Sequence, residues 1–291
     1  MLKKGFAIFV AMFVLFSGLL VVKPVQAASS VTKYVTATAL NIRTGPGTTY
    51  KIVTTVKQNQ AVTVSQTNGS WDKVTVAGKT GWASNQYLTT KNLAERLKTV
   101  GSNKQLILVT SNGYNTSYAE IRTFERNPLG KWVPVLTTTG HIGKYGFASA
   151  ANMREGGKKS PTGKYSIGTA FGRNINPGTK MPYRKITSDD VWVDDPTSKL
   201  YNTWQSRSRT QGQWKSAENM NIAAYTYGFV INYNTQRTPY KGSAIFFHIG
   251  SGYTLGCTAT SQTNVVKILK WLDSKKNPVI IQTPIQELNK Y

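Results

Sequence analysis

Hydrophobic and polar positions alternate in short runs over the first third of the chain. Residues 36–43 (Thr-Ala-Thr-Ala-Leu-Asn-Ile-Arg), 61–65 and 71–76 alternate or are β-branched, and Gly45-Pro46-Gly47, Asn68-Gly69 and Gly78 separate them with turn chemistry. Short strands at this spacing predict a small β-barrel over residues 33–90. Trp71 and Trp82 are expected in its core, since aromatic side chains are mostly buried. Residues 91–103 are polar and predict a linker with one or two helical turns. From Gln105-Leu106-Ile107-Leu108-Val109 the pattern is strand-like again, densely punctuated by Gly, Asn and Pro through residue 178. One helical pattern stands out: Val265, Ile268, Leu269 and Leu272 recur at i, i+3, i+4 and i+7. Ser261 is placed as its N-cap and Lys275-Lys276-Asn277-Pro278 as its stop. Residues 278–281 read as a last strand. The expected fold is mainly β: a small barrel, then a larger β-rich domain over 104–284 with few helices.

The first 27 residues stand apart. Lys3 and Lys4 precede an apolar run from Phe6 to Val22, and Val25 and Ala27 place small residues at a cut site. These are the parts of a secretory signal peptide, with an uncleaved anchor as the plainer reading of the apolar run. No later segment is apolar enough to span a membrane, so the expected mature protein is exported, at the cell wall or the outer face of the membrane. Export changes the meaning of the formal charge of +24. Inside a cell that charge would suggest nucleic acid; outside, it suits anionic wall polymer or lipid headgroups, or solubility alone.

The candidate chemistry lies late in the chain. An apolar run, residues 243–247, ends at His248, and the lone Cys257 follows nine residues later. One cysteine allows no internal disulfide. A cysteine nucleophile needs its thiolate, and a histidine within reach makes one by taking the proton. Gly256, without a Cβ, lets the preceding backbone turn its amides toward a substrate carbonyl, with Thr254 in the same turn, as oxyanion or backbone support. The alternative is a lone cysteine packed as a small hydrophobe.

Phe247-His248-Ile249-Gly250, then Thr254-Leu255-Gly256-Cys257 and an amphipathic helix, resemble the signature of the L,D-transpeptidase (YkuD-like) catalytic domain. Residues 156–165 with Ala170-Phe171-Gly172 are similar to the family's upstream glycine-rich segment. Residues 190–196 with Tyr201-Asn202 resemble one sub-branch. Leu40-Asn41-Ile42-Arg43-Thr44-Gly45-Pro46-Gly47, Asn68-Gly69-Ser70-Trp71, Gly81-Trp82-Ala83 and Tyr87-Leu88 look like a bacterial SH3 domain from end to end. The resemblance implies an SH3-like β-barrel, commonly a binder of cell-wall peptides, followed by a β-sandwich-like catalytic domain. It implies a peptidoglycan L,D-transpeptidase, with Cys257 as nucleophile toward a stem peptide and His248 as its base. A diamino acid would be acylated onto Cys257, D-alanine would leave, and an amine acceptor would complete a cross-link. No metal or organic cofactor is required.

The chain departs from the family in three respects: Leu255 stands where many members have histidine, Ala259 where many have Arg or Asn, and the loop from His248 to Cys257 is shorter than in the best-studied members. A carboxypeptidase using water as acceptor, or a wall-binding protein with an impaired site, therefore stays open. Two other cysteine enzymes do not fit. A sortase needs an arginine after its cysteine, and none follows Cys257; in an NlpC-type endopeptidase the cysteine precedes the histidine. Tyr253 and Ser251 in the signature loop are candidate substrate contacts. Lys158 is another, toward carboxylates, or part of a solvated basic loop. Asp194 belongs to a cluster with Asp189, Asp190 and Asp195 that reads as internal ion pairing or as contact with a substrate ammonium. His141-Ile142-Gly143 repeats the His248 tripeptide with no cysteine near it and is expected in a loop.

Overall fold

The computed structural model describes residues 30–291, and the expected signal peptide lies outside the described residues. Two compact units divide at Leu88 and Thr89. In the first, β1 (Val31–Val35), β2 (Ala39–Arg43), β3 (Ile52–Lys57), β4 (Ala61–Asn68), β5 (Trp71–Val76), β6 (Lys79–Ser84) and β7 (Leu88–Thr89) form one sheet. Its order is β3-β2-β6-β5-β4-β1-β7. The β5–β6 hairpin turns on Ala77 and Gly78, both at positive φ, the geometry that suits the right-handed twist of paired strands. Alternation decides the core: Val62 and Val64 of β4, Val74 of β5 and Ala83 of β6 point inward with Val35, Leu40, Ile42 and Val56. Trp71 and Trp82 do not join it. Each alternates with inward neighbours, Asp72 and Val74 on β5 and Gly81 and Ala83 on β6, so both rings lie half-buried on the other face. Asp72 is tolerated inside because Lys33 and Thr67 both bond its carboxylate at 2.7 Å.

The second unit contains β8 (Gln105–Ser111), β9 (Tyr118–Arg126), β10 (Trp132–His141), β11 (Phe147–Ala148), β12 (Ser160–Pro161), β13 (Gly163–Gly172) and β14 (Tyr183–Lys185). A second run follows: β15 (Asp190–Val193), β16 (Thr203–Ser206), α1 (Arg207–Thr210), β17 (Ala217–Asn219) and β18 (Gly228–Ile231). The last elements are β19 (Phe246–Ile249), β20 (Thr258–Thr260), α2 (Gln262–Trp271) and β21 (Val279–Pro284). The main sheet runs β14-β13-β18-β19-β20-β10-β9-β8-β21, and β21 also pairs with β13, so the sheet closes on itself. Its interior buries Ile107, Val109, Ile121, Phe229, Phe247 and Ile280 against Val265, Ile268, Leu269 and Leu272 of α2 and the turn after it. This is the β-sandwich-like, helix-poor architecture expected. Among the described residues no helix is long and apolar enough to cross a membrane.

Two further layers cover the outside of the sheet. Leu93, Ala94, Leu97 and Val100 pack over Leu106, Leu108, Val279 and Ile281, the outward side chains of β8 and β21. The stretch expected as a polar linker thus carries four apolar residues that these strands, buried on both faces, require. Elsewhere a three-stranded sheet, β16-β15-β17, is inserted between β14 and β18. It covers the outward face of β18 and β19 through Trp192, Met220, Tyr225, Val230 and Phe246.

Candidate active site

Residues 246–249 and 258–260 are neighbouring parallel strands, with Phe247 opposite Thr258, His248 opposite Ala259 and Ile249 opposite Thr260. The chain must cross back between them, and residues 250–257 form that crossing. Period-two alternation then aims His248 and Phe246 to the outward face, where Cys257 at the foot of β20 also points. Both side chains line one cavity of about 660 Å³. Its walls are the 249–256 crossing on one side and Glu155, Asp194, Glu218 and Tyr225 on the other.

The nucleophile turn is tightly braced. Gly256 has φ +154, and a Cβ there would lie 3.1 Å from Ile245 Cδ1 and 3.3 Å from the Lys159 carbonyl. Thr254 Oγ1 donates to the Cys257 carbonyl at 2.6 Å and accepts from the Gly256 amide at 3.1 Å. Ser160 Oγ accepts from the Gly143 amide at 2.9 Å and faces the Gly256 and Cys257 carbonyls at 2.6 and 3.0 Å. Gly256 and Thr254 therefore support the backbone, and the Gly256 amide would have to leave Thr254 to face a substrate oxygen. Two non-glycine residues of the cavity wall, Lys158 and Ala244, hold positive φ, a strain of the kind that surrounding structure must enforce. Asn202 enforces it at Ala244 by accepting from its amide at 3.2 Å and from Trp192 Nε1 at 2.9 Å.

Cys257 is buried with its thiol intact. Sγ donates to the Ala244 carbonyl at 3.2 Å and accepts from the Phe246 amide at 3.3 Å. Burial pushes the thiol far above its ordinary value and the Glu218 charge adds to this, while the Phe246 amide and the Tyr225 hydroxyl pull it back. Burial lowers the His248 imidazole, partly countered by the Ile249 carbonyl. That carbonyl lies 2.9 Å from Nδ1 and can only accept, so Nδ1 carries the proton and Nε2 is the basic nitrogen. Burial thus disfavours both charged forms, the thiolate and the imidazolium.

Cys257, His248, Gly256, Thr254, Tyr253, Ser251, Lys158 and Asp194 all line this cavity. Ser251, Tyr253 and Lys158 are exposed at its mouth, while Thr254, His248 and Cys257 are buried. The four clustered aspartates separate. Asp190 pairs with Arg184, Thr187 and Trp204, Asp195 holds Thr197 and Lys215, and Asp189 holds Ser206 and Ser208. Asp194 alone reaches the cavity, with Oδ1 buried and lacking a hydrogen-bond partner. Leu255 is 70% exposed on the wall and Ala259 fully buried. His141 is not in a loop: it ends β10 opposite Ala259, two strands from His248, and meets the Tyr118 ring at a tilt of 48° with centroids 5.1 Å apart. The cavity does not include it.

Sequence reasoning missed Tyr225 and Glu218. The Tyr225 ring meets the His248 ring edge-on at 5.2 Å and packs in the same buried cluster as Cys257, and its hydroxyl donates to the Glu218 carboxylate. Both belong to the segment between β15 and β18, which folds over the sheet. No spacing relates them to Cys257, so no local signal was available.

Comparison with known proteins places these two units. A model of the bacterial SH3 domain matches residues 38–89, and a model of the L,D-transpeptidase catalytic domain matches residues 125–281, more than half of the chain. The chain is similar to a probable endopeptidase p60 of Listeria monocytogenes, 44% identical over 69 residues, and to one of Listeria innocua, 44% over 61 residues. Those matches cover 23% and 20% of this chain but only 14% and 13% of the relatives' length. Among solved structures, the helical cell shape determining protein Pgp2 from Campylobacter jejuni aligns at 16% identity with a TM-score of 0.35, over 66% of this chain and 53% of that one. That likeness is too weak to bear on the fold. The family rests on the catalytic-domain match, which contains both His248 and Cys257: this chain belongs to the L,D-transpeptidase family of the peptidoglycan layer and carries a bacterial SH3 domain ahead of its catalytic domain.

Proposed function

We propose that this protein is an exported peptidoglycan L,D-transpeptidase that works through a Cys257–His248 pair. One observation carries the reading: His248 on β19 and Cys257, the residue just before β20, line the same cavity, and the Ile249 carbonyl commits Nδ1 so that Nε2 is the base. Nε2 removes the thiol proton and Sγ attacks the carbonyl between a diamino acid and its terminal D-alanine. The C–N bond breaks, the departing amine takes the proton from His248, and a thioester remains. An amine of a second stem peptide then gives its proton to Nε2 and displaces Sγ, forming the cross-link. Asp194, with its unpartnered oxygen, suits the substrate's ammonium; Lys158, Ser251 and Tyr253 at the mouth suit its peptide and carboxylates. The SH3 domain is assigned to wall-peptide binding, and the basic surface to anionic wall polymer. Neither nucleic acid nor a cofactor has a part in this scheme.

The test is intact mass after incubation with a carbapenem, a β-lactam that acylates cysteines of this family. The parent is expected to gain one adduct and Cys257→Ala none. A folded parent without adduct would overturn the reading in favour of a wall-binding protein. With stem tetrapeptides, D-alanine release without cross-linked product would make the enzyme a carboxypeptidase with water as acceptor.

A further inference from the structure

Tyr225 has one proton and two neighbours that can take it. Its hydroxyl donates to the Glu218 carboxylate, and the same side chain packs beside Cys257 in one buried cluster, where the hydroxyl acts on the thiol. A phenol O–H donates once, so the direction of this three-member chain depends on Glu218. As a carboxylate, Glu218 accepts only; the phenol proton turns to it, and a phenol lone pair faces Sγ. That arrangement favours S–H. Once protonated, Glu218 donates to the phenol oxygen, and the phenol O–H turns to Sγ, where it stabilises a thiolate.

We propose that Glu218 is a positioning residue whose protonation state, relayed by the Tyr225 hydroxyl, decides whether Cys257 is held as a thiol or readied as a thiolate. No bond to substrate forms at either residue: the thiol proton still goes to His248 Nε2, and Glu218 and Tyr225 only reorient hydrogen bonds. The inference deepens the Cys–His reading above and rests on it for its place in catalysis.

The surroundings of Glu218 put this change near neutrality. It lies on β17 opposite Trp192 of β15, beneath the inserted sheet. Burial raises its carboxyl to about 7; Tyr225 opposes this, and the charges of Asp194, just after β15, and Glu155, in the loop before β12, reinforce it. Cys257 faces it from the foot of β20, and Glu218 in turn raises the thiol. Lys158 lines the same cavity but is exposed at its mouth. An ionised Glu218 thus opposes the thiolate twice, through its charge and through the orientation it imposes on Tyr225.

Cys257 is the sole cysteine, so iodoacetamide alkylation followed by intact mass reports its thiolate fraction without any catalytic step. In the parent the alkylation rate is expected to rise with pH and level off above about 7. Glu218→Gln keeps the shape, carries no charge at any pH, and has an amide N–H that can donate to the phenol oxygen. Its rate should match the parent at pH 6, keep rising, and exceed the parent about tenfold at pH 8, the size of one pH unit. Tyr225→Phe should shrink the difference between Glu and Gln at position 218 to the part carried by the charge of Glu218 alone. Parent and Glu218→Gln profiles that superimpose would overturn the inference, as would a Gln rate lowered equally at all pH, the mark of a merely structural role. Carbapenem acylation measured in parallel separates the two readings. A shifted alkylation profile without any adduct supports the Glu218 relay and removes the transpeptidase function. Adduct formation with superimposed alkylation profiles does the reverse.

Discussion

Thr254 Oγ1 makes two bonds in the turn that aims the nucleophile, to the Cys257 carbonyl and from the Gly256 amide. Thr254→Val preserves its shape and deletes both, leaving a buried amide without its acceptor. The expected cost is about 1–3 kcal/mol in thermal or urea unfolding, with slower carbapenem acylation, and Thr254→Ser should restore both. Glu218 makes a second prediction at this scale, on stability. Its folded-state carboxyl is raised from 4.5 to about 7, so the folded protein keeps a proton that the unfolded chain has released. The unfolded state binds fewer protons across that window, so stability is full below about 4.5 and falls as pH rises through about 7. Glu218→Gln removes the dependence. Its melting temperature should match the parent's near pH 4.5 and exceed it by several degrees at pH 8; equal melting temperatures at both pH values would refute this. Legibility at this scale was uneven. His248 and Cys257 could be found because nine residues separate them, whereas Tyr225 and Glu218 reach the thiol only through the fold.

At the scale of elements, α2 was the clearest in the sequence and the 91–103 stretch the most misleading. The helix has both a periodic apolar face and a cap, and Ser261 Oγ accepts from the Asn264 amide at 3.4 Å. Each feature acts locally, so the pattern could be read without tertiary knowledge. Leu93, Leu97 and Val100 fall at i, i+4 and i+7 in an otherwise polar stretch that forms only a short turn at Ala94–Arg96, and with Ala94 they become a layer because β8 and β21 need cover on their outward face. A fragment starting at residue 104 should therefore expose Leu106, Leu108, Val279 and Ile281. Compared with a fragment starting at residue 89, it is expected to melt at lower temperature and to bind a hydrophobic dye. Equal melting curves would show that the layer contributes nothing. The aspartate cluster makes the same point: three of its members proved to hold turns and ion pairs, and only Asp194 faces the cavity.

At the scale of the molecule, the two units have separate cores, eight buried apolar residues in the first and much larger clusters in the second. Residues 30–89 and 89–291 made as separate fragments should each unfold cooperatively. The charge of +24 also acts at this scale. Binding of the protein to wall preparations rich in anionic polymer is expected to weaken steeply between low and high salt, because screening shortens the reach of its field. Binding unchanged by salt would assign retention to the SH3 domain instead.

Short alternating runs, turn residues and one capped amphipathic helix act over a few residues, so the sequence by itself determined the β class, the two-part organisation and the pairing of a histidine with a cysteine. Contacts between residues distant in the chain followed only from tertiary structure. Closing the main sheet through β13 and β21 required strands far apart in sequence to meet. Alternation along β5 and β6 turned the tryptophans outward. Folding the β15–β17 insertion over β18 and β19 brought Glu218 and Tyr225 to the cavity of Cys257, because burying the outward face of those strands requires residues distant in the chain to pack together.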